Sequence, residues 1–336
     1  MSAVLKILSA GPMLTVQDLG RPGLAAQGLS RGGAQDTLAL WEAAALLGLS
    51  APVAGIEMPG MGGRFTVTEK TRVALTGAPM RASLDGRPVP WHSALSLAPG
   101  EVLSVGGVSS GTTGYLTPGG GIASEPVLGS RATHLAVRIG ALLTEAEALP
   151  LGKDRAASAP PQVLRVAPRF EGGQIRILPG PQTELFSPEQ IRAFEAASFT
   201  RGPRSNRQAI QMMSEAEPLW HMASGGMASE PIQAGDIQIT GDGTPFVLGA
   251  ECQTIGGYPR IGSVHPEDMP KLVQAGAESP LSFRFADPAP LPTGAERLRA
   301  LRRAITPLLR DPATIPDLLS YQLISGVTAG DDLERD

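Results

Sequence analysis

A single cysteine, Cys252, in 336 residues rules out an intramolecular disulfide and suits a reducing compartment, so a cytoplasmic setting is expected. Histidine is scarce as well. His92, His134, His221 and His265 stand far apart with no paired spacing, and one thiol cannot build a thiolate cluster, so no metal is expected. Lysine is limited to Lys6, Lys70, Lys153 and Lys271, none in a Met-Lys-Met-like setting, which excludes biotin attachment to this chain and assigns any carboxyl carrier to another protein. Long apolar runs are missing too: the most apolar stretch, Asp36 to Leu49, carries Glu42 in its middle and is too short to span a bilayer. The opening MSAVLKILSAGPMLTV has no small-residue cleavage site after its short apolar run and reads as a first strand. A net charge of -4, spread along the chain, leaves no footprint for nucleic acid.

What is abundant is punctuation. With 41 glycines and 31 prolines the chain is cut into short runs, the pattern of a mainly β fold with many turns and few, short helices. In the first half, strands are expected at Val4 to Leu8, Arg64 to Val67, Arg72 to Leu75, Met80 to Leu84, Val102 to Val105, Gly114 to Thr117 and Leu135 to Arg138. In the second half they are expected at Gln162 to Val166, Gln174 to Leu178, Asp236 to Thr240, Pro245 to Leu248, Tyr258 to Val264 and Leu281 to Phe285. Asp85-Gly86 and Asp242-Gly243 mark tight hairpins.

Leu38, Trp41, Ala45 and Leu46 recur near helical spacing from Asp36 to Leu47, and Gly48 can close that helix. Ser187-Pro188-Glu189-Gln190 is a capping box opening a second helix that ends near Ala197. A third, Ala295 to Leu309, sets Leu298, Leu301, Ile305 and Leu308 on one face and is expected to dock on the second half of the chain, the alternative being an arm that docks on a partner. The stretch LPLGKDRAASAPP, with no apolar period, separates residues 1–155 from residues 160–287, and residues 288–336 form a linker and helical tail.

Familiar catalytic signatures fail on context. Gly107-Val108-Ser109-Ser110-Gly111 has the letters of a nucleophile elbow, but a strand rather than a helix follows it. Gly119-Gly120-Gly121 is followed by no lysine, so it is not a Walker-type phosphate loop. Three polar segments in turn contexts remain, where sites usually sit. They are Leu14 to Gly23 with Gly33-Ala34-Gln35-Asp36, then Arg204-Ser205-Asn206-Arg207, then Ser229 to Gln238 with Gln253 to Gly262.

Together with Thr76-Gly77-Ala78, Leu84-Asp85-Gly86-Arg87-Pro88-Val89 and Val127 to Thr133, these segments strongly resemble the urea amidolyase carboxyltransferase-domain family. That family includes proteins named allophanate hydrolase subunit 2, Kip-type (KipA-like) regulators of a sporulation kinase, and the C subunit of bacterial 5-oxoprolinase. The resemblance runs colinearly from about residue 4 to residue 286. It departs at Ser30-Arg31-Gly32-Gly33-Ala34-Gln35-Asp36 and at Gln208-Ala209-Ile210-Gln211-Met212, where Gln211 replaces a usual arginine.

The resemblance implies two cyclophilin-like β-barrel lobes with a cleft between them. For a chain of this length without biotin modules, it implies membership of an ATP-dependent complex that opens 5-oxo-L-proline to L-glutamate. The implied partners are a smaller cyclophilin-like, KipI-like protein (the B-type subunit) and a LamB/YcsF-like protein (the A-type subunit). The alternatives are a carboxyltransferase working on urea or a ureide with a separate biotin carrier, and a non-catalytic Kip-type regulator. Opening a lactam needs a base, anion-binding donors and donors for a developing oxyanion. Asp18, Asp36 and Glu230 are the candidate bases, with Tyr258 beside them as a further candidate catalytic group; Arg21, Arg204, Asn206, Arg207, Ser229, Gln233 and Gln253 are the candidate substrate-binding residues.

Overall fold

The structure is a computed structural model that describes residues 3–218 and 227–308. It is mainly β, with three large sheets and four short helices among the described residues. The helices are α1 (Thr37–Leu47), α2 (Pro188–Ala196), α3 (Met269–Gln274) and α4 (Gly294–Arg302).

Two antiparallel sheets enclose the first core. The six-stranded sheet runs in the order Ala148–Pro150, Val4–Ser9, Arg64–Val67, Leu103–Val108, Met80–Leu84, Arg87–Pro88. The seven-stranded sheet runs Thr15–Gln17, Gly55–Pro59, Thr113–Pro118, Thr71–Gly77, Ser93–Leu97, Gln162–Leu164, Ile305–Pro307. Leu5, Ile7, Phe65, Val73, Leu75, Leu97 and Leu116 meet in the space between them. The strand Thr71–Gly77 is buried at every position because its other face is covered by α1, through Ala43, Leu46 and Leu47 against Ala74 and Ala94. The small side chains of α1 let it lie close to the sheet, and burial of this apolar area is what holds a short helix that would be marginal alone.

A second seven-stranded sheet builds the other core, in the order Thr200–Arg201, Ala209–Met213, Pro245–Leu248, Asp236–Ile239, Arg260–Val264, Gly173–Leu178, Leu281–Phe285. Its last pair is parallel and the rest are antiparallel. Phe199 and Leu281 exchange both backbone hydrogen bonds, at 2.8 and 2.7 Å, which joins the first strand of this sheet to its last. Phe194, Phe199 and Phe283 cluster inside, with ring centroids 5.1 to 5.3 Å apart.

The expected α1 and the capping-box helix are found almost at their bounds, with Asp36 and Ser187 as side-chain caps. Three expectations are corrected. Leu135–Val137 is a 3-10 turn rather than a strand, because Arg138 enters the left-handed region at φ 58° and the chain folds back so that Ile139 bonds His134. The strand Gln162–Leu164 joins Ser93–Leu97, in the sheet of the first core, instead of the second half. Helix α4 packs on α1 through Leu298 and Leu301 against Trp41, Ala44 and Ala45, not on the second core, because the apolar stripe of α1 facing away from the sheet needs a cover. The helix also ends at Arg302 instead of continuing to Leu309, because Ile305–Pro307 turns into a strand paired with Gln162–Leu164; residue 309 lies outside the described residues. Among the described residues, no helix is long and apolar enough to cross a membrane.

Candidate functional site

Three loops from the two cores converge on one face. Arg21 to Arg31 comes from the first core, and Ile232 to Ala234 and Ala250 to Thr254 from the second; together they line a groove of about 340 Å³. The backbone N–H of Gly32 donates to the Ala250 carbonyl at 2.9 Å, fixing the two sides to each other. Ile232 also borders an adjoining cavity of about 250 Å³ walled by Gln208, Gln238, Phe246, Leu248, Gln253 and Tyr258. Within it the buried Gln238 Nε2 has no hydrogen-bond partner among the described residues, so an amide donor stands unused in a largely apolar wall. Unsatisfied buried donors are rare and mark places where a ligand or water completes the structure.

The expected site residues fall into two groups. Gln253 and Tyr258 line the cavity, and Arg21 and Gln233 line the groove beside it. Ser229 lies beside Gly257, next to Tyr258, and is exposed. Glu230 accepts from Arg260 Nη2 and Gln182 Nε2, both at 2.8 Å, with its side chain still 44% exposed. These residues are brought together.

Of the others, Asp18, Asp36, Asn206 and Arg207 are engaged in the framework, and Arg204 stays exposed on the outer side of a cavity wall. Asp18 accepts from the Gly20 and Arg131 N–H groups and from Ser130 Oγ at 2.6 to 2.8 Å, holding the Val127–Ser130 turn. Asp36 is fully buried: Oδ1 caps α1 at the Ala39 N–H, while Oδ2 accepts from Arg169 Nε at 3.1 Å and Gln274 Nε2 at 2.8 Å. Asn206 accepts from the N–H groups of Gln208 and Ala209 in its own turn. Arg204 is exposed and stacks its guanidinium 5.2 Å above Phe246. Arg207 is buried in ion pairs with Glu251 at 2.5 Å and with Glu57, and Nη2 donates to the Gly33 carbonyl.

Arg207 belongs to a chain of buried charge that stitches the two cores. Glu57 accepts from the Tyr115 hydroxyl at 2.7 Å, and that hydroxyl accepts from the Asp36 N–H at 2.9 Å. Arg169 then grips Glu42 with two hydrogen bonds of 2.6 and 2.7 Å. Burial opposes the charge on Arg207, but Glu57 and Glu251 outweigh it and hold the guanidinium above its usual range. Burial pushes the Glu42 carboxyl up, and Arg169 opposes that rise. Burial, with Glu57 and Asp36 beside it, drives the Tyr115 hydroxyl well above its ordinary value, so it stays a donor.

Sequence reasoning did not single out Glu57, Tyr115, Arg169, Gln238 or Glu251. For Glu57 and Gln238 the signal is a charged or amide residue inside an otherwise apolar strand, as in Gly55-Ile56-Glu57-Met58, a position no charge occupies without a partner, whereas Arg169 and Glu251 lie outside strands and carry no local signal. Among the described residues, no group of His, Cys, Asp and Glu side chains is arranged to hold a metal ion.

Comparison with known proteins adds to this geometry. The chain is 35% identical over 286 residues to the 5-oxoprolinase C subunit of Escherichia coli K12, covering 83% of this chain and 90% of the relative. It is 31% identical over 284 residues to the 5-oxoprolinase C subunit of Haemophilus influenzae, with the same coverage. The crystal structure of TTHA0988 superposes with a TM-score of 0.77 at 29% identity, over 84% of this chain, which spans 56% of that longer one. The profile described as "Carboxyltransferase domain, subdomain A and B" matches residues 27–285, so the chain belongs to the carboxyltransferase-domain family.

Proposed function

We propose that the chain is the C-type subunit of an ATP-dependent 5-oxoprolinase, opening 5-oxo-L-proline to L-glutamate together with a smaller cyclophilin-like, KipI-like protein of the B type and a LamB/YcsF-like protein of the A type. The observation that carries this reading is the 35% identity that extends over 90% of the Escherichia coli relative. The two cores are read as cyclophilin-like lobes sharing the groove, with Gln162–Leu164, α4 and Ile305–Pro307 added to the first of them.

The chemistry of the cavity fits the substrate class. A lactam presents one N–H, one carbonyl and, in this case, a carboxylate. The free amide hydrogens of Gln238, with Gln253 and Tyr258 beside them, supply donors to a ring carbonyl, while Phe246 and Leu248 pack the ring carbons. Arg21 and Gln233 in the adjoining groove supply the polar end for a carboxylate. Glu230, anchored by Arg260 and paired through its backbone with Gly256 beside the Tyr258 loop, is the candidate acid-base group. ATP is consumed by the assembled complex and provides the driving force for opening a resonance-stabilised amide.

The test is reconstitution: the three proteins are purified, and glutamate formed from 5-oxo-L-proline with ATP is measured with and without this chain. Glutamate formation that needs the chain supports the reading; equal rates without it would overturn it.

A further inference from the structure

The groove contains a second chemical arrangement, which shares Arg21 with the lactam reading but whose serine, histidine and glutamate that reading does not use. Ser30 lines the groove, and its Oγ lies 2.9 Å from His134 Nε2. His134 Nδ1 faces Glu251 Oε2 at 3.6 Å and has no hydrogen-bond partner among the described residues. Glu251 is held in place by Arg207 at 2.5 Å and by the Ala136 N–H at 3.0 Å. With the Nδ1 proton directed at Glu251, Nε2 is left as the acceptor for the Ser30 hydroxyl. Burial depresses the His134 pKa, with Glu251 opposing and Arg21 and Arg207 assisting, so the ring is neutral near pH 7 as a base must be.

Arg21 completes the arrangement. Its Nε and Nη2 donate to the carbonyls of Val127 and Ala132, but Nη1, fully buried, has no partner among the described residues. Gly32, at φ 63°, lies between the carbon edge of the His134 ring and Arg21 Nη1. A Cβ there would be 2.9 Å from His134 Cδ2 and 3.8 Å from Arg21 Nη1. The absence of a side chain leaves space where the imidazole and the guanidinium approach each other.

We propose that Ser30, His134 and Glu251 form a nucleophile, base and orienting carboxylate that act on a small acyl compound bearing a carboxylate, with Arg21 Nη1 receiving that carboxylate. Ser30 Oγ attacks the acyl carbon as its proton passes to His134 Nε2. The bond to the leaving oxygen or nitrogen breaks, and the leaving group takes that proton. Water then attacks the acyl-serine, gives a proton to His134, and releases the acid with the serine hydroxyl restored. The three residues come from both cores, so the relay exists only in the folded chain.

The test uses the full chain alone, without ATP or partner proteins, so its outcome is separate from glutamate formation by the complex. The protein is treated with a fluorophosphonate probe and the modified serine is located by peptide mass spectrometry. The expected result is an adduct at Ser30 in the folded protein and none at Ser30 in urea. His134→Gln is expected to slow labelling by about a hundredfold, as loss of a general base does. Succinate at millimolar concentration is expected to slow labelling of the wild type and to have no effect on Arg21→Gln. A Ser30 that stays unmodified in the folded wild type overturns the proposal without recourse to any variant. Equal labelling rates in wild type and a folded His134→Gln overturn it as well, leaving the Ser30 to His134 contact as a structural hydrogen bond.

Discussion

Replacing Arg169 by methionine tests whether the buried charge chain holds the molecule together. The guanidinium makes two hydrogen bonds to Glu42 at 2.6 and 2.7 Å and one to Asp36 at 3.1 Å, and all three side chains are at least 95% buried. Charge-assisted hydrogen bonds contribute about 1.5–3 kcal/mol each, so three set an upper bound of roughly 5–9 kcal/mol. Part of that is offset because the guanidinium no longer has to be stripped of water. Removing one member of a buried pair typically costs about 3–5 kcal/mol, and we expect Arg169→Met to fall in that range at pH 7. The origin of the loss is the two carboxylates left without a counter-charge. Glu42, which burial already pushes upward, then takes up a proton, so the deficit shrinks as pH falls. Adding Glu42→Gln to Arg169→Met is therefore expected to recover part of the loss. Urea unfolding followed by tryptophan fluorescence, with Trp41 on α1 as the local reporter, measures the wild type and both variants. A loss below about 1 kcal/mol for Arg169→Met, or a double variant no more stable than the single one, would refute the reasoning.

Three further outcomes follow from the same geometry. Burial, partly opposed by its hydrogen bond to the Gly77 carbonyl, lowers the His92 pKa to about 4. The neutral ring contributes stability that is complete above pH 6.5 and is lost as pH falls toward 4, by up to about 3 kcal/mol. Wild type should therefore lose its advantage over His92→Gln on acidification, and stability curves that stay parallel between pH 7 and pH 4.5 would contradict this. Burial, with Asp236 adding to it, pushes the Cys252 thiol up to about 11, so Ellman's reagent at pH 8 should modify it quickly only after unfolding; fast reaction in the native state would contradict its placement. In the reconstituted complex, Tyr258→Phe and Gln238→Leu are each expected to lower kcat/KM by about tenfold or more without a change in Tm, and unchanged kinetics would remove the cavity from the reaction.

Much of the framework was readable in the sequence because turns announce themselves. The strands Arg64–Val67, Met80–Leu84, Pro245–Leu248 and Leu281–Phe285 lie at their expected bounds, and Asp85-Gly86 makes the hairpin with both residues at positive φ. Gly55–Pro59 was not readable, since Glu57 interrupts its apolar run, and its burial is explained by partners distant in sequence, the Tyr115 hydroxyl and the guanidinium of Arg207, 150 residues away. The site divides the same way. Arg21, Gln233, Gln253 and Tyr258 were legible as polar residues in glycine-rich loops and do line the groove and cavity. Asp36 and Arg207 were legible as charged residues in similar contexts, but a local pattern does not say whether a charge meets solvent or a distant partner. Ser30 and His134, 104 residues apart, form no pattern at all until the loops are folded together.

The placement of Ile305–Pro307 beside Gln162–Leu164 has a consequence for how the chain is made. Synthesis proceeds from the N-terminal side, yet the outermost strand of the first core's sheet is supplied by a segment that emerges only after the entire second core. Until then Gln162–Leu164 presents an open hydrogen-bonding edge and α1 lacks its cover from α4. A nascent chain must therefore keep an unfinished, adhesive margin in its first half while the whole second half is being translated.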